Sequence, residues 1–542
     1  MDLLIKNAVI IDGTGESRYE GAVLVNGSRI TKIIRKKELA VEYENQVKQV
    51  IDADGMVLAP GFIDTHSHSD LKVLSDPMLL PKLRQGITTE VLGQDGISMA
   101  PLPLKYIEPW KKNLAGLDGE DESVCWTYEN CAHYFKLMEQ AQPALNESYL
   151  LPHGNVRMEA MGLEDRKPTE AEIKKMCDIV HREMKAGCLG LSSGLIYMPC
   201  AYSETEELIA LCNVVREYNG IFVVHQRSEA DDILASMDEI IRIGKESGVP
   251  IHFSHFKVCG KPNWDKLDGM LLKLDEAKKE GLTVTFDQYP YIAGSTMLGV
   301  ILPPWVHDGG TDKLVERLQD KTLREKMKQD IQNGIPGWDN FIQFAGTEGI
   351  FITSVVSKKN QDAVGKSLDE LGKMRGKTAL DAAFDLLLEE KNAVGMVDFY
   401  GTENHVKQIM KRKEMNLCTD GLLSGKPHPR VYGAFPRLLG KYVREESVLT
   451  LEEAIQKMTK QAADTFHLKE RGCIKEGFFA DFTIFNPETV IDKGDFTNPE
   501  QFPDGIEYVI VNGVIAVSKG KESGKRAGVV IKQSSKQSFV QK

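Results

Sequence analysis

Residues 61–68 read Gly61-Phe62-Ile63-Asp64-Thr65-His66-Ser67-His68, a short apolar run that closes on polar residues. Side chains two apart on extended backbone point to the same side, so His66 and His68 present two imidazoles to one space, as a metal site requires. Taken alone, such a pair is equally consistent with two incidental surface histidines. Seven further short apolar runs follow, at 88–92, 149–151, 189–192, 221–224, 251–254, 284–287 and 415–418, separated by amphipathic helical stretches. This alternation is the signature of repeated βα units. Eight such strands predict an α/β fold, a (β/α)8 TIM-type barrel over residues 59–468. A doubly wound sheet would explain the alternation equally well. Polar groups at nearly every strand's C-terminal end favour the barrel, whose loops converge on one site at that face.

The strand ends carry the chemistry. His225 closes the run 222–224 and His255 closes 252–254, each where a barrel strand delivers its side chain to the mouth. Arg227 and Glu229 follow His225 into a polar loop, which argues against a merely structural histidine. His252, three residues before His255, falls on the opposite side of its strand and reads as structural. The second strand leads into Gly93-Gln94-Asp95-Gly96 and the eighth into Thr419-Asp420-Gly421. An Asp-Gly pair by itself is a turn signal. Placed where histidines converge, however, Asp420 can take a proton from a metal-activated water and pass it to a leaving nitrogen. His153, at the end of the third strand, is a candidate hydrogen-bonding group near the reacting carbonyl, with a structural histidine as the equal alternative.

Further out, 3–13 and 21–30 read as a strand and a hairpin, and short β-rich runs return at 480–485 and around the Asn512-Gly513 turn. A lone hairpin is rarely stable, so residues 1–58 and 469–542 are expected to build one small β-sandwich together. The interval 295–405 is too long for a single connection and carries helical patterns at 311–332 and 367–390, which predicts an inserted lid within the barrel. The basic, Ser-containing tail from Lys519 is expected to be partly mobile.

Composition excludes several classes. With 542 residues, 42% hydrophobic and 27% charged, the chain has the make-up of a folded globular protein of two to four units, not a fibrous or disordered one. Its net charge of −12 is spread along the chain, against a nucleic-acid or anionic-membrane surface. Nine scattered cysteines without a CxxC pair suggest reduced thiols, and the N-terminus lacks the continuous apolar stretch of a signal peptide, so a soluble cytoplasmic protein is expected.

The run Ala59-Pro60-Gly61-Phe62-Ile63-Asp64-Thr65-His66-Ser67-His68 resembles the amidohydrolase superfamily. Gly190-Leu191-Ser192-Ser193-Gly194-Leu195-Ile196-Tyr197, Ser254-His255-Phe256-Lys257, the run from Asp287-Gln288-Tyr289-Pro290 to Ser295-Thr296, and His428-Pro429-Arg430-Val431-Tyr432-Gly433 resemble its D-aminoacylase (N-acyl-D-amino-acid deacylase) family. The similarity spans nearly the whole chain. It implies zinc-dependent hydrolysis of the linear amide of a small-molecule N-acyl-D-amino acid, giving a carboxylic acid and a D-amino acid. It also implies that His225 and His255 bind a tight zinc ion, that His66 and His68 belong to a second, weaker metal position, and that Asp420 is the catalytic carboxylate and a member of the ligand set. Tyr197, Lys257 and Arg430 are implied to hold the substrate's α-carboxylate, a task that suits two cations.

One departure stands out: several members of this family carry a metal-binding cysteine where this chain has Asp95. A carboxylate is a competent zinc ligand and can bridge two ions, but it is harder than thiolate. The expectation is a metal held by Asp95, His225 and His255, with tolerance for a second ion or for Mn2+ or Co2+. No lysine stands in 190–194, where cyclic-amide hydrolases of the hydantoinase or dihydroorotase kind, the alternative enzyme reading, use a carboxylated one. A metal-free scaffold barrel is the non-enzymatic alternative, disfavoured because every ligand type is present. Met297, Leu298 and Ile301 hint at an apolar side-chain pocket.

Overall fold

The computed structural model describes residues 1–35 and 37–533, so the end of the tail expected to be mobile lies outside the described residues. Its parallel strands are β1 (Phe62–Asp64), β2 (Ile87–Leu92), β3 (Asn146–Tyr149, continued by Leu151–Pro152), β4 (Gly190–Gly194), β5 (Ile221–His225), β6 (Ile251–Phe253), β7 (Val284–Gln288) and β8 (Met415–Leu417). Every strand expected from the sequence is present. They form two parallel sheets: β1, β2 and the first part of β3 in one, and the rest of β3 through β8 in the other. At one seam the chain itself passes from sheet to sheet at Leu150, whose N–H donates to the Leu92 carbonyl at 2.9 Å. At the other, Ser67 and Gly421 form a parallel bridge and the Asp420 N–H donates to the His66 carbonyl at 2.8 Å.

Strands covered on both faces read as continuous apolar runs, and β5 illustrates why. Phe222 and Val224 face the large core shared with the flanking helices. Ile221 and Val223 face a separate cluster with Ile63, Val91, Leu150, Leu189 and Phe466, drawn from both parallel sheets. The period of two that sends Ile221 and Val223 inward carries His225 to the same side.

The two chain ends share a third, nine-stranded sheet. Val57–Pro60 pairs antiparallel with Phe482–Phe485, so the termini are joined in one ladder and are not separate hairpins. Leu3, Ile5, Val23 and Val25 face a core with Phe482, Ile484 and Ile510, whereas the alternate residues Leu4, Ala22 and Leu24 face a second, with Ala40. The Asn512-Gly513 turn has positive φ at both positions, 47° and 79°, as a two-residue hairpin demands.

Within 295–405 each expected helix is broken in two. Thr311–Gln319 and Lys321–Asn333 meet at Asp320, whose side chain accepts the N–H groups of Thr322 and Leu323 and starts the second helix. Leu368–Arg375 and Ala379–Glu389 are separated by left-handed Gly376 and the capping Thr378. The segment also contains a sheet that helical periodicity does not reveal: Ala293–Met297, Val394–Phe399 and Ile350–Val355 pair antiparallel. Among the described residues, no helix is long and apolar enough to cross a membrane.

Candidate metal centre

Three of the expected ligands sit just past strand ends in left-handed backbone: Asp95 (φ 54°), His255 (φ 34°) and Asp420 (φ 49°). Non-glycine residues adopt this region rarely and at some energetic cost, and such strain gathers at functional sites. The sharp turn after β2 depends on glycine as well. Gly93 has φ 75°, and a Cβ there would lie 2.1 Å from the Leu150 carbonyl oxygen. His66 and His68 lie beyond β1 in a bend, not on the strand, yet their rings still converge.

Two overlapping buried groups of donor atoms result: His66, His68, Asp95 and Asp420 in one, Asp95, His225 and His255 in the other, each with its atoms within 4.8 Å of one another. The Nε2 atoms of His66 and His68 are 3.3 Å apart, and Asp95 Oδ2 is 3.5 Å from both. Asp420 Oδ1 lies 3.3 Å from His68 and 3.6 Å from His66. His225 Nδ1 faces His255 Nε2 at 2.9 Å, and Asp95 Oδ1 is 3.7 Å from the latter. That oxygen is buried without a hydrogen-bond partner. An orphaned carboxylate oxygen beside two converging imidazoles fits a divalent cation, and a His-His-carboxylate set is the ligand chemistry of catalytic zinc.

The electrostatics differ from one donor to the next. Burial pushes His225 down to about 4, keeping the ring neutral as a ligand must be. Burial also works against a charged His68, but the Asp420 and Asp95 carboxylates outweigh it and raise the ring to about 9. Burial alone would raise Asp420; the Arg430 guanidinium, with Nη1 at 2.9 Å from Oδ2, and the His66 ring hold it well below the ordinary carboxylate range.

Behind these ligands stand residues to which the sequence reading gave no role. Asp287, at the end of β7, accepts the His255 N–H at 2.5 Å, bonds His252 Nε2 at 2.9 Å and lies 3.6 Å from His66 Nδ1. Its signal was available, since it closes a strand just as the histidines do. Glu229 Oε1 lies 3.1 Å from His255 Nδ1, and Oε2 is 2.7 Å from Lys257 Nζ. Burial opposes its charge, yet Lys257 and the two imidazoles hold it at about 2. Lys82 is fully buried and donates to Asp64 (2.8 Å), Ser67 (2.7 Å) and Thr419 (2.6 Å), with Glu90 at 2.9 Å. It ties β1, β2 and the turn before Asp420 together from below.

Of the expected substrate contacts, Tyr197 and Lys257 line a cavity of about 40 Å3 together with His68, Asp95, His225, His255 and Asp420. The Tyr197 hydroxyl meets Thr296 Oγ1 at 2.8 Å and its ring packs edge-on against His225. Arg430 stands behind Asp420, donating to the Ser295 carbonyl at 3.1 Å and lying over the Tyr289 ring. His153 is not brought to the cavity. A helix begins at this residue, and its ring is buried between Ser193 Oγ (3.0 Å) and Glu207 (2.8 Å), with Arg157 on the same carboxylate. The expected contact with a reacting carbonyl is therefore corrected to a structural bond. Asp339, Phe341, Asp398 and Tyr400, all from 295–405, close the cavity from above.

Residues 49–323 and 368–517 match the model of the amidohydrolase family. D-aminoacylase of Alcaligenes xylosoxydans xylosoxydans is 33% identical over 98% of this chain and 97% of its own length. N-acyl-D-glutamate deacylase of the same organism is 32% identical over 95% and 93%. The crystal structure of N-acyl-D-glutamate deacylase from Bordetella bronchiseptica, complexed with zinc and a phosphonate mimic of the tetrahedral intermediate, is similar with a TM-score of 0.81 and 30% identity, over 98% of this chain and 99% of that one. With site and sequence in agreement across its length, the chain belongs to the amidohydrolase family, among the D-aminoacylases.

Proposed function

We propose that this protein is a metal-dependent hydrolase that cleaves N-acyl-D-amino acids into a carboxylic acid and a free D-amino acid. The observation that carries the reading is the convergence of His68, His225 and His255 with Asp95 and Asp420 on one small cavity, with His66 adding its ring nitrogen to the same cluster of donors. The relatives' names support the substrate class and its D configuration. The absence of lysine at the end of β4, where Ser192-Ser193-Gly194 stands, argues against the cyclic-amide alternative.

Asp95, His225 and His255 would hold a tight zinc ion, and His66, His68 and Asp420 with Asp95 a second, weaker one; Mn2+ or Co2+ would also suit a site in which carboxylate replaces thiolate. Bound there, the metal supplies a more acidic water and polarises the acyl carbonyl. Asp420, ionised and aimed by Arg430, accepts the proton of the attacking water and returns it to the departing nitrogen. Lys257 and Tyr197 receive the substrate's α-carboxylate, with Arg430 contributing positive charge from behind Asp420. Glu229 holds the His255 ring through Nδ1, and Asp287 holds the His255 backbone and sets a negative charge beside the His66 ring.

In this reading the two parallel sheets, joined at Leu150 and at Ser67–Gly421, are one closed (β/α)8 barrel over 59–468. The joint terminal sheet is the small sandwich of 1–58 and 469–542, and 295–405 is a lid that excludes water from the cavity. The nine unpaired cysteines support a reducing, cytoplasmic compartment. Chelation should abolish hydrolysis of N-acetyl-D-methionine and zinc should restore it. Elemental analysis after growth in mixed metals should find more than one ion per chain or a mixture of metals; a single ion, always zinc, would contradict the predicted effect of Asp95.

A further inference from the structure

The turn that presents Asp95 is gripped from both ends by one hydroxyl. Ser192 Oγ, on β4, donates to the Gly93 carbonyl at 2.5 Å and accepts the Gly96 N–H at 3.1 Å. In a closed four-residue turn those two backbone groups bond each other; here the hydroxyl stands between them and sets how far the turn opens. The side chain is fully buried, with its single proton and a lone pair both committed to the turn. Other partners hold one end each: Asp70 accepts the Gly93 N–H at 2.8 Å, and the Gly154 N–H donates to the Gly96 carbonyl at 2.7 Å. β4 also meets the turn backbone on backbone. A Cβ on Gly194 would lie 2.3 Å from the Asp95 carbonyl oxygen, and one on Gly96 would lie 2.8 Å from Ser193 Cα.

Among the described residues, β4 supplies no donor atom to either metal group. Resting on the metal centre of the deacylase reading above, we propose that β4 contributes through Ser192, a positioning residue that fixes the Asp95 turn so that one carboxylate reaches both metal positions. Gly93, Asp95 and Gly96 all have left-handed backbone, with φ of 75°, 54° and 70°. For Asp95 that conformation costs energy and persists only where its surroundings over-determine it. Its effect is visible in the carboxylate. Oδ2 stands 3.5 Å from the Nε2 atoms of His66 and His68, while Oδ1 stands 3.7 Å from His255 Nε2. Without the hydroxyl, the Gly93 carbonyl and the Gly96 N–H would lose this buried partner and close on each other, drawing the Asp95 backbone with them. Both carboxylate oxygens would then leave their places together, and zinc binds only where its ligands converge.

Zinc affinity, read by titrating the zinc-loaded full-length protein with a chromogenic chelator, tests this without reference to turnover. Ser192→Ala should bind zinc about 10- to 100-fold more weakly, the usual effect of removing a group that orients a ligand. Ser193→Ala removes the neighbouring buried hydroxyl, which bonds His153 and not the turn, and should stay within about threefold of the parent. In the Asp95→Ala background, Ser192→Ala should cost no more than about threefold further, because its effect passes through that carboxylate. Ser192→Cys keeps the shape and weakens both bonds, so it should lose affinity in the same direction, and it carries the comparison if the alanine variant does not fold. Unchanged affinity in the Ser192 variants, an equal loss in Ser193→Ala, or an undiminished loss in the Asp95→Ala background overturns the inference. Failure of both Ser192 variants to fold overturns it as well, since Ser192 would then serve the fold and not the ligand. Asp95→Ala separates the two readings. Full zinc affinity in that variant would sink the metal centre itself, whereas weakened binding there beside an unaffected Ser192→Ala would sink the positioning role alone.

Discussion

Asp420→Asn should lower kcat for N-acyl-D-amino acids by about a thousandfold, because the amide keeps the shape of the carboxylate and loses its capacity to accept and return a proton. The position supports a dedicated proton carrier. Its carboxylate lies 3.3 Å from His68, lines the cavity, and is kept ionised by Arg430 at 2.9 Å against the effect of burial. Steady-state kinetics with parallel zinc analysis separates loss of the proton carrier from loss of metal. A variant that retains its zinc and turns over within tenfold of the parent would show that another group moves the proton.

Lys82→Met should destabilise the protein by about 3–5 kcal/mol, the usual result of removing one partner from a buried ion pair. The ammonium is fully buried between Asp64 and Glu90, and the Glu147 carboxyl nearby is already pushed well up by burial and by Glu90. Methionine fills the volume, so the cost falls on the carboxylates left without a cation. Urea denaturation of parent and variant under the same metal-free conditions gives the difference. A change below about 1 kcal/mol would mean that the carboxyl groups discharge by protonation and that Lys82 is dispensable to the fold.

What the sequence made legible follows from local rules. The register of β5 set His225 and the close of β6 set His255, because apolar periodicity and a polar strand end are both written within a few residues. Asp95 and Asp420 were legible through their glycine neighbours, which accompany the left-handed turns observed there. The same strand-end rule misled at His153, where the chain turns directly into a helix and Glu207, 54 residues on, takes the ring. Lys82 carried no mark at all: Leu80-Pro81-Lys82-Leu83 looks like any short helix, and its partners lie from Glu90, in the next strand, to Thr419, 337 residues away. Glu229 is a similar case, a carboxylate whose meaning comes from the ring it touches in space. The sheet within 295–405 escaped because its strands are separated by long helical stretches, so their pairing is non-local.

The proposed activity is stereoselective hydrolysis at a histidine–aspartate metal centre. It is tested most directly by giving the zinc-loaded protein racemic N-acetylmethionine and separating the products by chiral chromatography. Free D-methionine should be released, with N-acetyl-L-methionine left intact. Release of L-methionine, or of neither enantiomer, would contradict it.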